Sequence, residues 1–323
     1  MTNAIEVIDL SKTYGKRGQA PLRAVSDLNL TVPAGQVIGL LGPNGAGKTT
    51  TIKMMCGLVE PTAGQIQLNG ADVARQRSLA MQQIGAVLEG TRNIYWRLTA
   101  LQNLIYFGRL KGGWGKVIKR RAEQLLRELG LWERRDDPVT AFSRGMQQQV
   151  AIACALMADP PIVLLDEPTL GLDVHAARTV KAWVQELSAG RGKTVVLTTH
   201  QLDMAEELCQ RVVIIRRGQV VADQPTEELL NLFGREYYEI RLAGQLDTVP
   251  KQNDNPWLAS WSIGHENGQT VLTGPVSADV GLYSLLADLA QIGLPLLAVN
   301  RAAPSLEDVF VQLTQQQAEE VSQ

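Results

Sequence analysis

The chain of 323 residues has little cysteine, no long apolar run and no excess of basic charge. Its three cysteines, Cys56, Cys154 and Cys209, lack the spacing of a metal site, so we expect buried, reduced thiols. Nowhere do roughly 18 apolar residues follow one another, so no membrane-spanning helix is expected. Residues 1–15 lack a basic segment followed by an apolar run, so no signal peptide is expected either. A net charge of −2 gives no basic field for nucleic acid, and short clusters such as Lys119-Arg120-Arg121 are interpreted as solvated.

Two regions of different composition divide the sequence. Over residues 1–232, apolar strands alternate with helical patterns, which predicts an α/β domain with a parallel sheet covered on both faces. One helical pattern runs from residue 98 to residue 131 and is broken at Gly112-Gly113. Residues 236–323 predict a small α+β module. Its expected strands are 236–242, 259–265, 269–273 and 295–300, with a hairpin turn at Asn267-Gly268, and its expected helices are 278–292 and 305–315.

A glycine-rich segment follows the strand predicted at 36–41 and precedes the helix predicted at 49–58. It reads Gly42-Pro43-Asn44-Gly45-Ala46-Gly47-Lys48-Thr49 and fits the pattern G-x-x-x-x-G-K-[ST] without a gap. Glycines let backbone N–H groups turn toward one anion, and the next helix directs its N-terminal dipole there. Lys48 adds a charge for the β- and γ-phosphate oxygens, and Thr49 offers a hydroxyl to Mg²⁺. The segment predicts a triphosphate site; a plain glycine-rich turn with an incidental lysine is the alternative.

Two acids end the apolar strand predicted at 162–165. Asp166 and Glu167 are adjacent, so they point to opposite faces of the strand and can do different work. Asp166 suits the Mg²⁺ side, and Glu167 suits a base or water-orienting role at the γ-phosphate. His200 closes a second apolar strand, at the carboxyl edge where open α/β sheets bind ligands. It is a candidate donor to the γ-phosphate, whereas an ordinary loop histidine is the alternative.

The order of the remaining motifs resembles the nucleotide-binding domain of ABC transporters over about residues 4–232. Residues 142–147 resemble its signature motif, residues 170–173 its D-loop, and His200 its switch histidine. The resemblance implies a P-loop fold with a mixed sheet and a helical subdomain at about residues 92–160. It implies ATP and Mg²⁺ as ligands, with catalytic roles for Glu167, His200 and Glu89. The implied metal contacts are Thr49, Asp166 and Glu89. The implied nucleotide contacts are Tyr14, Gly42, Pro43, Asn44, Gly45, Ala46, Gly47, Lys48, Thr49, Thr50, Ser143, Gly145 and Gln147.

Two motifs depart from the family pattern. The signature has Arg144 and Met146 where glycine is usual. Glu89 stands where the family places a glutamine near the γ-phosphate and Mg²⁺. A glutamate still offers an oxygen to Mg²⁺, but it adds a negative charge close to Glu167 and the phosphates. We expect an active site that depends more steeply on Mg²⁺ than a glutamine version would.

The resemblance also implies partners and a location. Two copies of the cassette are expected to meet head to tail around two ATP as a homodimer. They are expected to drive a separate membrane-spanning permease, in export, from the cytoplasmic face of the membrane. The aromatic stretch at residues 93–98, with Tyr106, Phe107 and Trp114, is expected to receive the permease, or else to form the core of the helical subdomain. A soluble single-cassette ATPase and an ATP-gated binding module without hydrolysis remain as alternatives.

Overall fold

The computed structural model describes residues 2–15, 20–90, 93–234, 237–244, 261–276, 281–291, 293–302 and 306. The chain divides into two compact units, residues 1–224 and 225–323. The boundary expected from composition lies at residues 233–236, beyond this division, because the helix at 226–234 falls in the second unit. Within the described ranges, no helix combines the length and apolar character needed to cross a bilayer.

Strands and helices alternate through most of the described residues. The strands are β1 (Asn3–Tyr14), β2 (Leu22–Pro33), β3 (Val37–Leu41), β4 (Ala63–Leu68), β5 (Ala71–Asp72), β6 (Ile84–Val87), β7 (Ile162–Asp166), β8 (Thr194–Thr199), β9 (Arg211–Arg216), β10 (Gln219–Pro225), β11 (Tyr237–Ala243), β12 (Ser262–Glu266), β13 (Gln269–Pro275) and β14 (Leu296–Arg301). The helices are α1 (Lys48–Met55), α2 (Arg77–Gln82), α3 (Ala100–Leu110), α4 (Gly115–Glu128), α5 (Arg144–Ala155), α6 (Val174–Gln185), α7 (Leu202–Leu208), α8 (Thr226–Gly234) and α9 (Gly281–Gln291). Helices α2, α7 and α8 were not expected from the sequence, because such short elements show too few repeats of the helical period.

The described residues of unit 1 form two sheets. An antiparallel sheet has the order β2-β1-β4-β5, and a six-stranded sheet has the order β10-β9-β3-β8-β7-β6. In the second sheet β6, β7, β8, β3 and β9 are parallel neighbours. The expected α/β class is confirmed, and the antiparallel strands form a sheet of their own. Strands β3, β7 and β8 are buried along their whole length, as continuous apolar strands of a covered parallel sheet are.

The strand register brings the predicted motifs to one edge of the parallel sheet. Leu41 at the end of β3 pairs with Thr199 at the end of β8, and Asp166 at the end of β7 pairs with Thr198. Because parallel strands present their carboxyl ends on the same side, the phosphate loop, the acidic pair and His200 all begin from this edge.

Helices α3, α4 and α5 lie between β6 and β7 in the chain. The break expected at Gly112-Gly113 is confirmed, since α3 ends at Leu110 and α4 begins at Gly115. Thr99 and Gln102 form a reciprocal capping box at the start of α3. The inward face of α4 buries Ile118, Ala122, Leu125 and Leu126, as its helical spacing requires.

Unit 2 is built on an antiparallel sheet of order β12-β13-β11-β14. Asn267 and Gly268 both have positive φ, of 49° and 77°, which fits the predicted two-residue hairpin turn. Leu285 and Leu289 of α9 join a buried cluster that includes Ile240 and Leu272 of the sheet. The helix predicted at 305–315 lies outside the described residues apart from Leu306, as do the first two residues of the strand predicted at 259–265.

All three cysteines are buried and free, which confirms the expectation of buried thiols. Burial raises the pKa of Cys56 and Cys209 to about 12, and burial likewise raises that of Cys154. The three side chains are therefore neutral packing groups of unit 1 at ordinary pH.

Candidate functional site

The phosphate loop connects the buried strand β3 to α1, which begins at Lys48. Gly47 has a φ of 109°, and a Cβ there would lie 2.5 Å from the carbonyl oxygen of Ala24. At Gly42 a Cβ would collide with the carbonyl oxygen of Ile215. Both positions therefore need glycine for steric as well as conformational reasons. No side chain caps the first turn of α1, so its N-terminal dipole faces the loop and favours an anion there.

Lys48 is buried beneath the loop with only 6% of its surface exposed. Its Nζ donates to the carbonyl oxygens of Gly42, at 2.6 Å, and Pro43, at 3.2 Å. Burial lowers the pKa of Lys48 from its ordinary value, while the carboxylates of Glu167, Asp166 and Glu89 act to raise it. A phosphate ligand would supply further negative charge and favour the protonated ammonium.

Asp166 is the most connected side chain of the site and is almost fully buried. Its Oδ1 accepts from the hydroxyl of Thr198 at 2.5 Å and from the hydroxyl of Thr49 at 3.1 Å. Its Oδ2 accepts from the backbone N–H of Glu89 at 3.4 Å. Three segments that are far apart in sequence therefore hold one carboxylate in a single orientation.

Glu167 leaves the strand in an unusual backbone conformation. Its φ is +50°, in the left-handed region that most residues other than glycine, asparagine and aspartate avoid. Its backbone N–H donates to the carbonyl and hydroxyl oxygens of Thr198, both at 3.1 Å. Its Oε1 lies 2.9 Å from Nδ1 of His200, whose side chain is 43% exposed while that of Glu167 is 8% exposed. Such strained positions cluster at active sites. The strained backbone orients the side chain toward the site, whereas a regular strand would point it elsewhere.

An open cleft of about 410 Å³ lies beside the phosphate loop. It is lined by Tyr14, Leu22, Ala24, Asn44, Gly45, Ala46, Gly47, Lys48, Thr49, Thr50, Glu89 and Glu167. Tyr14 is 40% exposed, and Nζ of Lys12 lies 5.2 Å from the centre of its ring. Leu22 and Ala24 were not expected from the sequence, because an ordinary β-strand gives no sign of what approaches it.

Glu89 also lines a second, smaller cavity of about 70 Å³. This cavity is shared with Asp166, Glu167, Arg144 and Gln147. Glu89 therefore stands between the cleft at the phosphate loop and the space in front of α5.

The signature residues lie outside the cleft in this chain. Ser143 is the N-cap of α5, and its hydroxyl accepts from the N–H of Met146 at 3.3 Å. A Cβ at Gly145 would collide with that of Ala176, so glycine allows α5 to approach α6 closely. The amide nitrogen of Gln147 donates to the carbonyl oxygen of Phe142 at 3.1 Å and braces the loop before the helix.

The residues expected to contact a metal are suited to Mg²⁺. The hydroxyl of Thr49 is bonded to Asp166, and the backbone of Glu89 is bonded to the same carboxylate, so all three predicted positions adjoin one another. The described residues contain no group of three or more His, Cys, Asp or Glu side chains that could hold a metal ion. A few hard oxygen donors that leave positions for phosphate and water are the usual protein environment of Mg²⁺.

Thr198 is a residue of the candidate site that sequence reasoning missed. It is fully buried and contacts both Asp166 and the backbone of Glu167. The one available signal was a pair of threonines at the end of an apolar strand, where threonine is also an ordinary strand former.

Comparison with known proteins places this geometry in a family. A sequence profile described as ABC transporter matches residues 25–170, and one described as a domain of unknown function matches residues 237–300. The linearmycin resistance ATP-binding protein LnrL of Bacillus subtilis (strain 168) is 33% identical over 96% of this chain and 98% of its own length. The daunorubicin/doxorubicin resistance ATP-binding protein DrrA of Streptomyces peucetius is 34% identical over 99% of this chain and 95% of its own length.

Solved structures support the same assignment. The ATP-binding cassette MJ0796, in a dimeric post-hydrolysis state bound to ADP and Pi, has 28% identity and a TM-score of 0.63, covering 69% of this chain and 98% of its own. The expected family, fold class and ATPase activity are therefore confirmed. With its phosphate loop, buried acidic pair and relatives of nearly equal length, the chain belongs to the ATP-binding, ATP-hydrolysing subunits of ABC transporters.

Proposed function

We propose that the network around Asp166 and Glu167 hydrolyses ATP bound at the phosphate loop. The observation that carries this proposal is the continuous hydrogen-bonded chain from Thr49 through Asp166 and Thr198 to Glu167 and His200. This chain of hydrogen bonds joins the phosphate loop to Glu167, whose side chain is oriented by its strained backbone. In this assignment the loop N–H groups and Lys48 bind the phosphates, and Tyr14 stacks on the adenine at the rim of the cleft.

Glu167 is assigned as the base or water-orienting group of the hydrolysis. Its low exposure keeps competing water away, and Nδ1–H of His200 donates one hydrogen bond that orients its carboxylate. His200 also has an exposed ring that can reach a γ-phosphate oxygen. Thr49, Asp166 and Glu89 would hold Mg²⁺, which supplies charge neutralisation of the phosphate oxygens when bound.

The position of the signature motif favours a functional dimer. Of the described residues that line the ATP cleft, none belongs to the signature segment 143–147. In one chain, therefore, the phosphate loop is not contacted by the signature motif, and the signature motif does not face a bound phosphate. A second copy placed head to tail supplies the missing half to each site, so that two ATP molecules lie in the interface.

Exposed aromatic residues near Glu89 form the proposed contact with a membrane-spanning permease. Tyr95, Trp96 and Tyr106 are 50%, 44% and 38% exposed, and the Tyr95 and Tyr106 rings meet edge to face at 4.9 Å. Aromatic side chains of this kind are enriched in interface cores. Because the segment follows Glu89 directly, a change at the γ-phosphate can reach it. The names of the relatives concern drug resistance, and we propose export from the cytoplasmic face of the membrane on that basis.

The Glu167→Gln variant tests hydrolysis and dimerisation together. It removes the basic oxygen but keeps size and polarity, so it should bind ATP, hydrolyse it poorly and elute as a dimer in size-exclusion chromatography with ATP. Glu133→Gln, at an exposed glutamate outside the site, is the matched control and should behave as the wild type. A Glu167→Gln protein that hydrolyses ATP at the wild-type rate would move the catalytic role to another residue.

A further inference from the structure

The stretch between Glu89 and Glu123 carries charge of one sign only. It contains no Asp or Glu, although the whole chain has a net charge of −2. Its basic residues are Arg92, Arg97, Arg109, Lys111, Lys116, Lys119, Arg120 and Arg121. A local positive field of this kind favours an anionic partner.

The second half of this stretch contains the turn from α3 to α4, residues 109–120, which we call the α3–α4 tip. Three apolar side chains of the tip are exposed: Trp114 by 77%, Val117 by 76% and Leu110 by 64%. Ile118, by contrast, is buried and packs so closely that a Cβ at Gly113 would lie 2.9 Å from its Cγ1. Ile118 thus packs against the turn, while Trp114, Val117 and Leu110 are exposed to solvent.

The basic side chains of the tip fall into two groups. Lys111 donates to the carbonyl oxygen of Met81 at 2.7 Å, so it is engaged within the chain. In the part of the chain that the structure describes, Arg109, Lys116, Lys119 and Arg120 have neither a hydrogen bond nor an ion pair through their side chains. Four exposed cations and three exposed apolar side chains thus share one turn.

We propose that the α3–α4 tip binds directly to a membrane surface rich in anionic lipid. Tryptophan partitions to the boundary between headgroups and acyl chains, and Lys and Arg beside it attract anionic headgroups. Trp114 and Val117 are about three-quarters exposed beside four exposed cations, an arrangement that matches the apolar and anionic layers of a lipid surface. The aromatic cluster assigned to the permease differs in this respect, because its rings pack against one another. The tip therefore adds a lipid contact to the membrane location proposed above, on which it builds.

Vesicle flotation with the full chain tests the proposal. Wild-type protein should bind vesicles of phosphatidylcholine with phosphatidylglycerol, and it should bind pure phosphatidylcholine weakly. Raising the salt concentration to about 1 M, where the Debye length is about 3 Å, should release most of the protein. Lys116→Gln/Lys119→Gln should weaken binding about thirtyfold, from the usual contribution of each basic residue near such a surface. Arg75→Gln/Arg77→Gln removes the same charge from exposed residues elsewhere in unit 1 and should change little.

Several outcomes would overturn the lipid proposal without touching the proposed function. Equal vesicle binding by the two double variants would show that the tip is not the contact, and so would wild-type protein that ignores anionic vesicles. If Trp114→Ala leaves vesicle binding intact but lowers co-purification with the permease, the occupant of the tip is the permease. ATP hydrolysis by the tip variants should equal that of the wild type, because none of these residues belongs to the ATP site.

Discussion

The buried hydroxyl of Thr198 connects both acids of the ATP site, so its removal tests whether that connection matters. Thr198→Val keeps the shape of the side chain and its fit to β8. It removes the 2.5 Å hydrogen bond to Asp166 and one of two acceptors for the N–H of Glu167. Asp166 would keep the hydroxyl of Thr49 and the longer contact with the N–H of Glu89.

The expected magnitude follows from the charge of the partner. A hydrogen bond to a charged group contributes about 1.5–3 kcal/mol, so the free energy of unfolding should fall by about that amount. For a unit of 224 residues, a loss of this size lowers the midpoint of thermal unfolding by about 3–12 °C. Residues that orient a metal ligand typically change affinity or activity about 10–100-fold, so the Mg²⁺ concentration for half-maximal ATPase activity should rise by that factor.

Thr194→Val is the matched control, because Thr194 is buried at the opposite end of the same strand. Its hydroxyl accepts from the N–H of Gly35 at 3.0 Å and contacts no acid of the site. The midpoint temperature of thermal unfolding should fall in both variants. Only Thr198→Val should change the Mg²⁺ dependence of steady-state ATPase activity. If the two variants show the same Mg²⁺ curve, Thr198 does not position Asp166 and the reasoning is refuted.

Three further predictions concern the rest of the chain. Lys48→Ala should abolish ATP binding measured by calorimetry, because it removes the buried cation under the phosphate loop; a folded variant with unchanged affinity would contradict the phosphate site. Glu89→Gln should keep or raise ATPase activity and flatten its Mg²⁺ dependence, because it removes an anion beside the phosphates; superimposable curves for the two forms would mean that Glu89 has no part in the metal site. Limited proteolysis should cut near residues 233–236 or 246–256 and leave a stable cassette, and a truncated cassette that cannot fold would count against a separable C-terminal module.

Local spacing was enough to predict the fold class and to place the phosphate loop, the acidic pair and His200, whereas the other expected site residues came from the family resemblance. The phosphate loop, the acidic pair and His200 each follow a buried strand, and parallel strands bring such segments to one edge. The turn at Asn267-Gly268 and the break at Gly112-Gly113 were likewise predicted, because glycine and asparagine mark turns by their own conformational preferences. These features depend on neighbours in the chain, which the sequence shows directly.

Contacts between distant segments could be known only from the tertiary structure. Thr198 and Asp166 are 32 residues apart, and nothing in either strand shows that their side chains meet. Sequence spacing left open whether Trp114 belongs to a core or to a surface, because exposure depends on what the rest of the fold covers. In the structure Trp114 and Val117 are exposed, whereas Ile118 of the same turn is buried. The sequence thus determined which chemical groups follow which strand, and the tertiary structure decided which of them touch and which face outward.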